Sequence, residues 1–392
     1  MDSQQYRLSI WCLSLLFLAS VAMADSGNDF TNNLATDIAP LLALFGEQVA
    51  KQFMAGSMGW KDNIIFAMGA LGIITAIVGA IRVSGPAWLK AIIGRARESW
   101  GDVEVELMSS TSEDVCELWN GRAIVRVLGT PSIVELVLSP DDNKDVLLDD
   151  PRHGIRSFTE ALQDGIIKST TFKREDKIDL EDLPLADEEF RTSPPNIALS
   201  VNGGGASDSE LFLLTVFGIF AQSAVVCLAA VETLVNDWKP RFENAGEPVG
   251  SYAFPLMAMG TALLVVGMVM CSHIIESGSK KGQWSPERSD VTLAWLQRGT
   301  RISDQEFESF AISSQGDHRL RKSNRDYDPG RETQTVIATI ISVVGFVAQF
   351  SALRFLHWSV TICQLVAIGI MTALRAVVRR HVAYPPKVQP LP

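Results

Sequence analysis

Five stretches of this chain, Asn63–Ile81, Leu211–Thr233, Ala253–Ile275, Thr335–Leu353 and Trp358–Leu374, carry no Asp, Glu, Lys or Arg in their middle. Each is close to the ~20 residues that a helix rising about 1.5 Å per residue needs to cross roughly 30 Å of hydrocarbon. A charge at mid-span costs about 2.5–3.5 kcal/mol on insertion scales, so its absence from all five is selective. The fold class expected is mostly α: a multi-pass transmembrane helical bundle of about five spans after a signal peptide, with a small α+β cytosolic domain. Composition agrees, because 47% hydrophobic residues are too many for a soluble protein and 20% charged residues too many for a bare bundle. The net charge of −11 has its acids gathered between Asp102 and Glu189, which opposes a nucleic-acid partner.

The leader reads as a signal peptide: Leu8–Val21 is apolar and Ala22-Met23-Ala24 offers small residues for cleavage, an uncleaved anchor being the alternative. Basic residues set the sidedness. Arg82, Lys90, Arg95 and Arg97, then Lys280, Lys281 and Arg288, then Arg325 and Arg331, then Arg375, Arg379 and Arg380 all fall on one side if the five spans alternate. The other side holds only Lys51 and Lys61, Lys239 and Arg241, and Arg354. The expected division is a signal peptide (1–24), an outer segment (25–62), a span (63–81), a cytosolic region with its linker (82–210), a span (211–233), an outer loop (234–252), a span (253–275), a basic cytosolic loop (276–334), two spans (335–353 and 358–374) and a cytosolic tail (375–392). The N-terminus is then outside and the C-terminus inside, in the plasma membrane or another endomembrane of the secretory route. Small residues four apart, Gly72/Ala76/Ala80, Ala348/Ala352 and Gly369/Ala373, offer faces for close helix packing.

Between the spans, local patterns suggest short elements. Leu41, Phe45, Val49 and Phe53 form a helical stripe, lying either on the outer leaflet or on the bundle. Pro86 opens Ala87–Trp100, either an interfacial helix with its basic side towards anionic lipid or a continuation of the span. Val103–Leu107 alternates like a strand. Thr111–Asp114 caps a helix through Trp119 that Asn120-Gly121 stops, or else Asn120-Gly121 is a hairpin turn and Cys116–Trp119 a strand. Ala123–Leu128 and Ile133–Leu138 read as a hairpin, and Ile155–Gln163 as a helix. Lys168–Pro195 reads as flexible and Asn202–Ser209 as a linker. In the second loop, Asp290–Gln297 and a segment starting at Ser303 read as helices.

Chemistry is sparse. There is no phosphate-binding loop, no His-Glu-x-x-His and no Gly-x-Ser-x-Gly. The acidic run Asp141–Asp150 lacks the glycine and closing glutamate of a calcium loop, and the five cysteines have no zinc or disulfide spacing. No catalytic residue, metal site or cofactor is expected. The polar span residues Gln222, Gln349 and Gln364 read as interhelical hydrogen-bond partners before they read as a substrate path.

The run Glu106–Gly121, with Ala39–Glu47 and Ile77–Val83, resembles a group of multi-pass membrane proteins of filamentous fungi whose activity is unassigned, some of which carry ankyrin repeats after their spans. This chain has no such repeat, and the resemblance implies a fungal membrane protein and no catalytic residue. The leading functional expectation is a scaffold or sensor whose domain engages a protein partner through Cys116, Leu118, Trp119, Asn120 and Gly121. Arg319, Arg321, Lys322 and Ser323 form a basic cluster expected to meet anionic lipid or the acidic region before the second span, or to serve only as topogenic charge, with Ser323 a phosphorylation candidate. The alternative is a small-solute channel or transporter.

Overall fold

A computed structural model describes residues 46–57, 59–69, 71–129, 133–139, 154–169, 190, 193–201, 206–235, 243–244, 247–287, 291–313 and 319–380. The signal peptide, Leu41 and Phe45, the acidic run Asp141–Asp150, Gly203–Gly205 and the tail beyond Arg380 lie outside the described residues, as does most of the stretch 170–192. The helices, in chain order, are α1 (residues 46–55), α2 (Trp60–Met68), α3 (Ile73–Ser84), α4 (Ala87–Ile92), α5 (Trp100–Leu107) and α6 (Phe158–Gln163). They continue with α7 (Ile197–Val201), α8 (Asp208–Leu234), α9 (Ala253–Ser277), α10 (Arg331–Phe355) and α11 (Trp358–Val378).

Among the described residues, four helices, α8 to α11, are long and apolar enough to cross a membrane. They form two antiparallel pairs. In the first, Gln222 of α8 donates to Gln364 of α11 at 3.1 Å, and in the second Gln349 of α10 donates to Thr261 of α9, also at 3.1 Å. The expected interhelical role of these amides is borne out. Backbones come closest between α9 and α10, where a Cβ on Gly345 would collide with the Leu263–Leu264 peptide. At one end, Glu232 in the last turn of α8 accepts a hydrogen bond from the Ser359 hydroxyl in the first turn of α11. At the other, Arg380 meets Glu210 and the three- and four-stranded sheets gather; we call this the domain end.

The expected first span is not one helix. It is α2 and α3, separated at Gly69–Gly72, and neither has membrane-crossing length. The two ends of the pair lie together. Lys61 in the first turn of α2 pairs with Asp208 at 2.5 Å, and Arg82 in the last turn of α3 pairs with Glu106 at 2.5 Å, a carboxylate that also takes Lys51. Lys51 and Lys61, expected on the opposite side, therefore sit at the domain end. The bend reaches Gly218 and Met371, roughly 15 Å along α8 from Asp208 at helical rise. The segment is a helical hairpin that dips into the bundle and returns.

The break has a local cause and a tertiary support. Gly72 adopts φ +75°, and a Cβ there would strike Ala50. The bend also strands the last carbonyls of α2 in apolar surroundings, where an unpaired backbone group costs several kcal/mol. Arg375 of α11, wholly buried, donates to the carbonyls of Phe66 and Gly69, reaches that of Leu71 at 3.5 Å, and lies over the Phe66 ring. Around the hairpin mouth, Arg379 pairs with Asp62 at 3.1 Å, Lys281 donates to the Ser57 carbonyl at 2.7 Å, and Asn63 bridges Ser272 and Glu276. Phe53 stacks on Phe66, so α1 packs on the bundle.

The sheet structure joins two regions more than a hundred residues apart. β1 (Val115–Trp119) and β2 (Ile124–Leu128) form a hairpin around Asn120-Gly121, so the strand alternative for Cys116–Trp119 holds and the capped helix does not form. β3 (Ile133–Ser139) does not pair with β2 as expected; it lies between β4 (Gly154–Ser157) and β9 (Thr292–Gln297), with β12 (Phe310–Ser313) beyond β9. A second sheet orders β13 (Leu320–Arg325), β8 (Ser279–Pro286) and β5 (Ile167–Ser169). Short pairs complete the set: β6 (Glu243–Asn244) with β7 (Glu247–Pro248), and β10 (Thr300–Ile302) with β11 (Gln305–Phe307). The helices expected in the second loop are therefore strands. Leu293, Trp295 and Gln297 alternate inward, and Ser303 turns the β10–β11 hairpin at φ 53° where a helix start was expected. Conversely, Val103–Leu107 belongs to helix α5, because Ser99 caps it through the Asp102 amide and Val103 and Leu107 share its buried side. The Trp284 indole centres the core, edge-on to Phe158 and Phe190.

Two outcomes follow. Single cysteines at Lys61 and Lys280 label from the same face of sealed vesicles; a crossing first span would put them on opposite faces. Arg375→Met lowers stability in detergent by about 3 kcal/mol or more, since at least two buried carbonyls lose their donor; an unchanged melting transition contradicts the cap.

Candidate interaction surface

Strand alternation builds the surface. In the four-stranded sheet, Glu135↔Trp295 and Val137↔Leu293 face the core, where the Trp295 indole donates to Glu135 at 3.0 Å. The residues between them face outward. Val134 lies opposite Leu296, Leu136 opposite Ala294 and Leu138 opposite Thr292, while Ile155 of β4 pairs with Leu138 and Ala311 of β12 with Leu296. Among the described residues this outer face carries no charge, and its polar side chains are the small hydroxyls of Ser157, Thr292 and Ser313. Three large apolar side chains on three adjacent strands stand in solvent: Val134 at 56%, Ile155 at 65% and Leu296 at 42% exposure. A contiguous patch of this kind is uncommon on a soluble domain surface unless something docks there. The sequence signal was available, since Ile133–Leu138 is apolar at both parities except Glu135, the pattern of a strand with two dry faces.

The sequence-predicted partner residues sit elsewhere. Cys116, Leu118 and Trp119 are buried in β1, Leu118 beside Phe307 and Trp119 stacked on Phe310, so they hold the domain together and present no surface. Only Asn120 and Gly121 are exposed, at the turn, where the Asn120 carbonyl oxygen of the side chain accepts from the Arg122 and Ala123 amides. Burial, with Glu117 adjoining, pushes the Cys116 thiol up to about 11. The basic cluster is likewise dispersed. Lys322 is buried, paired with Glu135 at 2.8 Å and 3.9 Å from the Phe158 ring centre, and it donates to the carbonyls of Phe190 and Ser193. Ser323 is buried, donating to the Ser109 carbonyl and accepting from Asn196. Arg321 donates to the Leu199 carbonyl, leaving Arg319 exposed at the strand start. β13 thus zips onto the segment that leads into α8, and phosphorylation of Ser323 would require that zip to open.

The domain is tied to the hairpin by charge. Arg82 donates to both Glu98 oxygens at 2.7–3.1 Å, and the buried Glu104 accepts from Ser112 at 2.8 Å with Arg325 at 3.5 Å. Burial opposes ionisation of Glu106, but Arg82 and Lys51 outweigh it and hold the carboxyl below the usual range. For Glu104 and Glu117, burial wins and raises both. Among the described residues, no three His, Cys, Asp or Glu side chains gather as a metal site.

No protein-family model, curated protein or solved structure matches this chain.

Substitution separates surface from core. Leu296→Ser changes stability by less than about 0.5–1 kcal/mol, whereas Leu293→Ala, on the opposite face of the same strand and wholly buried, costs about 2–5 kcal/mol; equal losses in chemical denaturation would mean that the outer face is covered. Cys116 in the folded protein resists iodoacetamide at pH 8 and reacts once denatured, because both the thiolate and its access are suppressed; rapid native labelling confined to Cys116 would contradict its placement.

Proposed function

We propose that this chain is a membrane-anchored interaction protein, a scaffold or sensor, whose sheet domain lies in the cytosol and docks a protein partner on the outer face of the four-stranded sheet. The observation that carries this reading is the exposed pair Val134 and Leu296, with Ile155, on an uncharged sheet face. Sidedness is supported by charge: Arg82, Lys280, Lys281, Arg331, Arg379 and Arg380 gather at the domain end, now joined by Lys51 and Lys61, and cytosolic flanks retain such residues. A partner pulling on the sheet also pulls on the spans, because β8 and β13 continue directly into α9 and α10.

A photo-crosslinking residue at Val134, in intact membranes, gives a discrete heavier adduct that Leu296→Glu abolishes. The same residue at Gln305, exposed on β11, gives none. Adducts equal at both positions, or indifferent to Leu296→Glu, remove the reading.

A small-solute channel or transporter is the second reading, favoured by the helix break at Gly69–Gly72, since broken helices inside a bundle are where transporters bind. Against it, Arg375 already occupies the freed carbonyls and the span glutamines are engaged with one another or with Thr261. Flux in reconstituted vesicles that responds to Gln222→Leu or Gln349→Leu supports it; absent or unaffected flux removes it.

A further inference from the structure

Just beyond the hairpin, the chain makes a sharp change of course. Gly85-Pro86 ends α3, and α4 is a separate six-residue helix, not a continuation of the apolar stretch. Its Trp88 and Ile92, one helical turn apart, are 57% and 71% exposed. Trp60 and Tyr327 are exposed at the same end of the bundle, while Tyr252 is exposed at the opposite end, the placement of interfacial aromatic belts. α4 therefore sits at the depth where acyl chains give way to headgroups.

Directly after α4, residues 93–99 turn back over α5 and enclose a cleft of about 540 Å³, lined by Arg82, Arg95, Arg97, Glu98, Asp102 and Glu106 among others. The charges are unequally committed. Glu98 and Glu106 are both held by Arg82, Glu106 also by Lys51, and the Asp102 carboxylate takes the Ser99 hydroxyl at 2.6 Å. Arg95 touches Glu98 only at 3.3 Å and is half exposed. Arg97 is exposed and, among the described residues, has no hydrogen-bond or ion-pair partner. The cleft thus offers two guanidiniums with donors to spare, next to an apolar helix face at membrane-surface depth.

We propose that this cleft binds the headgroup of an anionic phospholipid, its phosphate between Arg95 and Arg97 and its acyl chains along Trp88 and Ile92. Planar guanidiniums suit phosphate because they donate in pairs, and the apolar face of α4 gives the chains a continuous path from headgroup to bilayer. The site is separate from the outer sheet face and does not rest on the partner reading.

The test uses the full chain in a lipid-free detergent, titrated with phosphatidylglycerol and followed by native mass spectrometry. The wild type retains one phosphatidylglycerol, phosphatidylcholine binds more weakly, and inorganic phosphate does not compete. The double substitution Arg95→Gln/Arg97→Gln weakens retention by about tenfold or more, as expected for losing two charge-assisted contacts, while Arg301→Gln, an exposed arginine on β10, leaves it unchanged. Arg97→Gln alone breaks no ion pair of the fold and gives a readable partial loss if the double variant unfolds. Equal retention by wild type and the Arg97→Gln variant, equal binding of phosphatidylcholine, or competition by inorganic phosphate overturns the proposal.

Discussion

Backbone polar groups surrounded by hydrocarbon must find partners inside the protein, and the rest of this structure is arranged around one place where the helix ladder alone cannot supply them. At Gly69–Gly72 the first apolar stretch bends, and the Arg375 guanidinium of the last helix completes the carbonyls that the bend exposes. A cation at the C-terminal end of a helix is favoured by the peptide dipoles as well as by the hydrogen bonds. With the bend held, both ends of the hairpin emerge at the same end of the bundle, and the secondary ties between Arg379 and Asp62 and between Lys281 and the Ser57 carbonyl close its mouth.

That topology places two long polar segments side by side. Each pairs strands of its own, and the four-stranded sheet joins them, with β3 and β4 from one and β9 and β12 from the other. Non-local pairing also explains the charge buried there. Glu135, Lys322 and the Trp295 indole come from three separated strands and satisfy one another in the core, an arrangement that specifies register, since a slip by one residue would leave an ion unpaired. The inward face being filled in this way, the outward face keeps its apolar side chains without a partner from the described chain.

Local signals succeeded where short-range physics is decisive. Asn120-Gly121 turns a hairpin because the Asn120 side chain can accept neighbouring amides and Gly121 takes φ +88°, and Pro86 begins a new helix because it cannot continue the old one. They failed where a partner far along the chain intervenes. Thr292–Gln297 has residues that suit either a helix or a strand, and only the neighbours β3 and β12 select the strand. The candidate contact residues Cys116, Leu118 and Trp119 were legible as a patterned segment, but which of its sides would be covered was not. The four-residue basic cluster looked like a surface because charge usually is one; carbonyls from residues 190–199 turned part of it inward.

From the sequence by itself came the solvent of this protein and most of its punctuation: lipid-length helices α8 to α11, the glutamines that join them, and the glycines and prolines that end elements. Those follow from the composition of contiguous windows, which bilayer thickness and backbone sterics read directly. Tertiary structure alone decided that Asn63–Ile81 dips and returns, that the second polar loop is a set of strands, and that an uncharged sheet face and an arginine-lined cleft are left open. These depend on which distant groups meet, Arg375 with Phe66 or Val134 with Leu296, and no window of sequence contains both members of such a pair.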